Sequence, residues 1–74
     1  MEERILKIVN AIRAAKKLPE LGELKQEFNL REELGLTSFD LAELTVRIED
    51  EYGVDIFEDG LVNTVGEIYA KLQK

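Results

Sequence analysis

Apolar residues recur at helical spacing in three stretches of the chain, and the pattern breaks between them. Ile5, Ile8, Val9 and Ile12, broadened by Leu6, form the first stripe, with Glu2, Glu3, Arg4, Lys7 and Arg13 mostly on other faces. This spacing predicts an amphipathic helix over about residues 2–15 whose apolar side is core. Pro19 cannot continue that helix and Gly22 adds a second breaker, so residues 16–36 form a long connection. A structureless connection of that length is unusual in a compact domain. Leu18, Leu21, Leu24, Phe28, Leu30 and Leu34 lie along it and are expected to pin it down. The four-residue spacing of Leu24 and Phe28 allows a short helix over 23–28. The Lys16-Lys17 pair reads as ordinary solvated surface.

The second stripe is longer. From about Ser38 to Tyr52, Leu41, Leu44, Thr45, Ile48 and Tyr52 fall on one side at 100° per residue, and Gly53 follows as a left-handed C-cap. Phe39 and Val46 fall on the opposite side with Glu43 and Asp50, and Ala42 at the edge. Single exposed apolar residues need no explanation. Two of them one helical stride apart and ringed by acids point to a docking face.

After this helix, Val54 and Ile56 are expected to be buried, and residues 58–63 leave room for at most one helical turn. The acids there invite a calcium-loop test. Starting a loop at Asp55 puts Gly60 correctly at the sixth position, but Phe57 and Gly66 fall where ligands are needed, so the test fails. Thr64-Val65-Gly66-Glu67 is a capping box for a last helix with Val65, Ile68, Tyr69 and Leu72 as its apolar stripe. Gly66 lowers helix propensity in that first turn, and no local reason for it is visible.

The start of the second helix carries the candidate chemistry. Thr37 can act as N-cap, Asp40 three residues on makes Thr-x-x-Asp a variant capping box, and Leu36 and Leu41 hold the staple positions. Ser38 is then the first helical residue. Its hydroxyl would lie beside unsatisfied N–H donors at the positive end of the helix dipole, a favourable place for a phosphate oxygen. Position alone favours the plainer reading, a small polar residue in a well-capped first turn, and the downstream pattern is what shifts it.

Composition narrows the function classes. Seventy-four residues suit one small domain, residues 1–74. Cysteine and histidine are both absent, which removes disulfides, thiolate zinc sites and most serine- or cysteine-nucleophile mechanisms. No metal site and no enzymatic activity are expected. The net charge of −6 is uneven: residues 1–37 carry seven basic and seven acidic side chains, residues 38–74 three basic and nine acidic. Such a field repels nucleic acid and steers basic protein partners, although acidic surfaces also simply keep small domains soluble. No apolar run reaches membrane-spanning length and no secretory pattern opens the chain, so a cytoplasmic, monomeric protein is expected.

Leu30-x-x-x-Leu34-Gly35-Leu36-Thr37-Ser38-Phe39, followed by Glu43-Leu44, the acidic helix end Glu49-Asp50-Glu51-Tyr52 and the Thr64-Val65 helix start, resembles the acyl carrier protein family. The resemblance covers residues 28–74 well and the amino-terminal third in kind. It implies an all-α bundle of three to four helices with a long loop between the first two main helices. It also implies that Ser38 carries 4′-phosphopantetheine, whose thiol holds an acyl group as a thioester. Two residues depart from the family signature: Thr37 stands for the usual aspartate before the serine, and Phe39 for the usual leucine after it. The first bears on which pantetheinyl transferase accepts the protein. Implied partners are that transferase and acyl-loading and acyl-processing enzymes with basic docking surfaces. Asp40, Glu43 and Asp50 would attract them, Phe39 and Val46 would make the apolar contact, and Arg47 would discriminate among partners or only pair with Glu43 or Asp50. Cargo stays open among fatty-acyl, polyketide or other specialised acyl chains, and aminoacyl or peptidyl groups. The alternative from another class is an acidic interaction module of the same fold that is never modified.

Overall fold

The structure, a computed structural model, describes residues 2–73. Three helices form: α1 (Glu2–Ala15), α2 (Ser38–Tyr52) and α3 (Val65–Leu72). This is the all-α bundle expected from the periodicity, and among the described residues no fourth helix forms. Residues 56–60 make hydrogen-bonded turns instead, with Glu58 N donating to Asp55 O at 3.2 Å and Gly60 N to Phe57 O at 3.2 Å.

One core joins every part of the chain. Ile5, Val9 and Ile12 of α1 meet Leu41, Leu44 and Ile48 of α2 and Val65, Ile68 and Tyr69 of α3. Leu30, Leu34 and Leu36 from the long connection and Ile56 and Val62 from the last one complete it, each almost wholly buried. Burying a side chain of this size stabilises by about 1.5–3 kcal/mol, so the connections contribute to stability as the helices do. Val54, expected inside, is half-buried.

The helix starts behave as their local sequence dictates. Thr37 caps α2 and Thr64 caps α3, each closing a reciprocal capping box with Asp40 or Glu67. Leu36 and Leu41 are both buried at the staple positions. Gly53 ends α2 in the left-handed conformation, its N–H donating to Glu49 O at 2.7 Å.

The long connection is where local reading falls short. No helix forms over 23–28. Its carbonyls serve α3 instead: Gly66 N donates to Gln26 O at 2.9 Å and Val65 N to Phe28 O at 3.0 Å. Asn29 and Thr64 form an isolated antiparallel bridge, and Leu30 N donates to Asn63 O at 2.9 Å. This edge-on pairing explains Gly66. A Cβ there would sit 3.2 Å from Gln26 O, closer than side-chain carbons normally approach, so the helix start is held by glycine against the connection.

Arg13 is the second departure. Expected on a solvent face, it is buried, with 7% exposure. Its guanidinium donates to Pro19 O through Nε at 3.1 Å and Nη2 at 3.0 Å, and to Leu34 O through Nη1 at 2.6 Å. One cation thus ties both ends of the connection to α1. Asn10 adds a second tie, its amide exchanging hydrogen bonds with the backbone N–H and carbonyl of Leu21 at 2.8 and 3.0 Å.

Candidate functional site

Ser38 opens α2 and is exposed, as expected for a first-turn residue. It is the only serine in the chain, a fact legible without any structure. The three threonine hydroxyls are committed to the fold: Thr37 Oγ1 and Thr64 Oγ1 cap helices, and Thr45 Oγ1 donates to Asp55 Oδ1 at 3.3 Å. The Ser38 hydroxyl has no such structural duty. Within the first turn, Leu41 N bonds to Thr37 O and Asp40 N to Thr37 Oγ1. The N–H groups of Ser38 and Phe39 precede these and face outward at the positive end of the helix.

The approach to Ser38 is built by residues 29–35. Asn29 Oδ1 accepts from Arg31 N at 2.8 Å and Glu32 N at 3.0 Å, while the Glu33 carboxylate returns an acceptor to Asn29 N. Gly35 closes the turn at φ 69°, where a side chain is strained, and a Cβ would also meet Leu18 Cδ1 at 3.2 Å. Arg13 of α1 and Lys16 just after it hold the last two carbonyls of this turn, Leu34 O and Gly35 O, at 2.6 and 2.7 Å. Lys16 therefore is not the free surface lysine expected from sequence.

Asp40 is the site residue whose surroundings differ most from expectation. Its carboxylate, expected among the residues that attract partner enzymes, has 14% exposure and lies 2.5 Å from Lys16 Nζ. It also accepts from Thr37 N at 2.8 Å and Thr37 Oγ1 at 3.0 Å. The hydrogen bond from Lys16, followed by that from the Thr37 backbone, holds its pKa below the ordinary aspartate range. Its charge is engaged within the fold by Lys16 and Thr37.

The other candidate residues are accessible. Phe39 is 88% and Val46 63% exposed, on the face away from buried Leu41, Leu44 and Ile48. Glu43 and Asp50 are exposed on the same side. Arg47 Nε donates to Glu43 Oε2 at 2.9 Å, the pairing that was one of its two expected roles. Leu61 is 84% exposed and was not singled out from sequence, because it lies in a segment with no periodicity to assign it a face.

Arg31 also escaped sequence reading. Its Nη2 lies 3.5 Å from Ser38 Oγ, and a loop residue seven positions upstream carries no helical-face signal. With an exposed hydroxyl, free N–H donors and a guanidinium beside it, the residues around Ser38 fit a phosphate ester.

No helix among the described residues is long and apolar enough to cross a membrane. The family model described as phosphopantetheine attachment site matches residues 7–72, nearly the whole chain. Domains of this family hold 4′-phosphopantetheine covalently and act as carriers served by a pantetheinyl transferase and partner enzymes. The capped α2 start, the bundle that supports it and this match lead to one conclusion: the chain belongs to the phosphopantetheine attachment-site family of carrier domains.

Proposed function

We propose that the chain is a single acyl carrier domain, residues 1–74, whose attachment residue is Ser38. The observation that carries this reading is the only serine of the chain, exposed on the first turn of a capped helix and free of structural duty. When bound, the arm supplies the thiol that holds cargo as a thioester, which is how a chain without cysteine takes part in thioester chemistry. The chain's own residues do the rest. The Thr37–Asp40 box fixes the helix start, Arg13 and Lys16 hold the turn before it, and the first-turn N–H groups favour the phosphate charge.

In this reading Phe39 and Val46 make apolar contact with partner enzymes while Glu43 and Asp50 steer their basic surfaces, with Arg47 adjusting the match. The protein is cytoplasmic, monomeric and without catalytic activity of its own. Thr37, Phe39 and the short segment between α2 and α3 favour a dedicated acyl pathway over housekeeping fatty-acid synthesis.

The test is intact mass after incubation with coenzyme A and a broad-specificity pantetheinyl transferase. One phosphopantetheinyl group is expected on the wild type and none on Ser38→Ala, which should stay folded. Modification mapped to a threonine overturns the site. No modification by several transferases favours the unmodified interaction module.

A further inference from the structure

Among the described residues the Ser38 hydroxyl makes one contact with a charged side chain. Arg31 Nη2 stands 3.5 Å from Ser38 Oγ, and the guanidinium has no ion-pair partner among the described residues. At that separation a hydrogen bond to a neutral hydroxyl is weak, so the contact does little for the fold. What the guanidinium does offer is a planar fork of donors matched to two oxygens of one phosphate.

Its backbone is fixed at both sides. Arg31 N donates to Asn29 Oδ1 at 2.8 Å, and Arg31 O accepts from Gly35 N at 3.1 Å. Two of the nearby acids are engaged elsewhere, Asp40 with Lys16 and Thr37 and Glu33 with Asn29 N, while Glu32 follows Arg31 on the exposed side of the turn. The residue before the serine is the neutral Thr37. In a chain of net charge −6, Ser38 thus has a guanidinium on one side and the positive helix end on the other.

We propose, resting on the assignment of the arm to Ser38, that Arg31 binds the phosphodiester of the attached arm. Its guanidinium would pair with the non-bridging oxygens of the phosphorus that Ser38 Oγ carries. The phosphate then ties the 29–35 turn to α2 and sets the direction in which the arm leaves the helix. This is a contact of the loaded form, absent before attachment, and so a differential one.

The experiment compares unloaded and loaded protein for the wild type, Arg31→Gln, Arg31→Lys and Arg31→Glu, with intact mass confirming one group on Ser38. Each pair is read by its thermal midpoint and by the phosphorus NMR shift of the phosphodiester. Loading should raise the wild-type midpoint. That rise should be lost in Arg31→Gln, partly kept in Arg31→Lys and reversed in Arg31→Glu, and the phosphorus resonance of Arg31→Gln should move to its position in the unfolded loaded chain. Because each variant is compared with its own unloaded form, a structural effect of the substitution cancels. An equal rise and an equal phosphorus shift in wild type and Arg31→Gln overturn the role of Arg31 and leave Ser38 in place. A wild type that takes no group on Ser38 overturns the attachment assignment and this inference together.

Discussion

Nζ of Lys16 lies 2.5 Å from Oδ2 of Asp40 and 2.7 Å from the Gly35 carbonyl oxygen, joining the residue just after α1 to both sides of the turn that opens α2. A depressed carboxylate pKa has a definite consequence for acid stability. The contribution of Asp40 is fully present above the ordinary aspartate value of 3.8 and is lost as pH falls through its lower folded value. Lys16→Met removes the largest cause of the depression. The variant should melt below the wild type at neutral pH, and the gap should narrow in acid below the aspartate range. In an Asp40→Asn background, which keeps the cap, the Lys16 effect should show no such pH dependence. A gap that stays constant into acid would place the lysine's contribution in its bond to Gly35 O alone.

Arg13 should be worth more than any surface charge. Arg13→Met keeps much of the buried stem but leaves the Leu34 and Pro19 carbonyls without their donor. Hydrogen bonds from charged groups contribute about 1.5–3 kcal/mol, and a loss of about 3 kcal/mol is expected from denaturant unfolding. Arg4→Met, which breaks the exposed pair with Glu51, should cost about 1 kcal/mol or less. Equal effects would show that the 16–36 connection does not depend on Arg13.

Gly66→Ala tests the contact between the connection and α3. In an exposed helix this change gains about 1 kcal/mol from propensity. Here the new Cβ meets Gln26 O at 3.2 Å while Gly66 N donates to that same oxygen, so the connection must retreat or lose the bond. The expected outcome is a lower melting midpoint, with faster amide exchange at Val65 and Gly66. A raised midpoint would mean that the connection yields freely at Gln26.

The two faces of α2 make opposite predictions. Phe39→Ala and Val46→Ala should change stability by about 0.5 kcal/mol or less, since both side chains are largely in solvent. Leu44→Ala and Ile48→Ala should cost about 2–5 kcal/mol, because both are fully buried. Rates of acyl loading by a partner enzyme should fall for the first pair, and Glu43→Lys and Asp50→Lys should slow association and weaken its salt dependence. Unchanged loading rates for Phe39→Ala and Val46→Ala would remove this face as the docking surface.

The sequence by itself determined whatever depends on neighbours within a helical turn or two. The capping boxes at Thr37–Asp40 and Thr64–Glu67, the Gly53 stop, the bounds of α1 and α2 and the split between Leu44 and Phe39 were all readable from spacing, and Ser38 with them. These features follow from a fixed helical geometry that brings residues three or four apart together whatever the rest of the chain does. The tertiary structure alone decided the fates of the polar side chains. Arg13 reaches Leu34 O across 21 residues and Lys16 reaches Asp40 across 24, and Gly66 makes room for a carbonyl supplied by Gln26. No local pattern marks these pairs, because a long flexible cation reads the same in sequence whether it ends in water or on a buried carbonyl. Which one occurs depends on where the connection's leucines bury. That packing pairs Asp40 with Lys16 and sets Arg31 beside the serine.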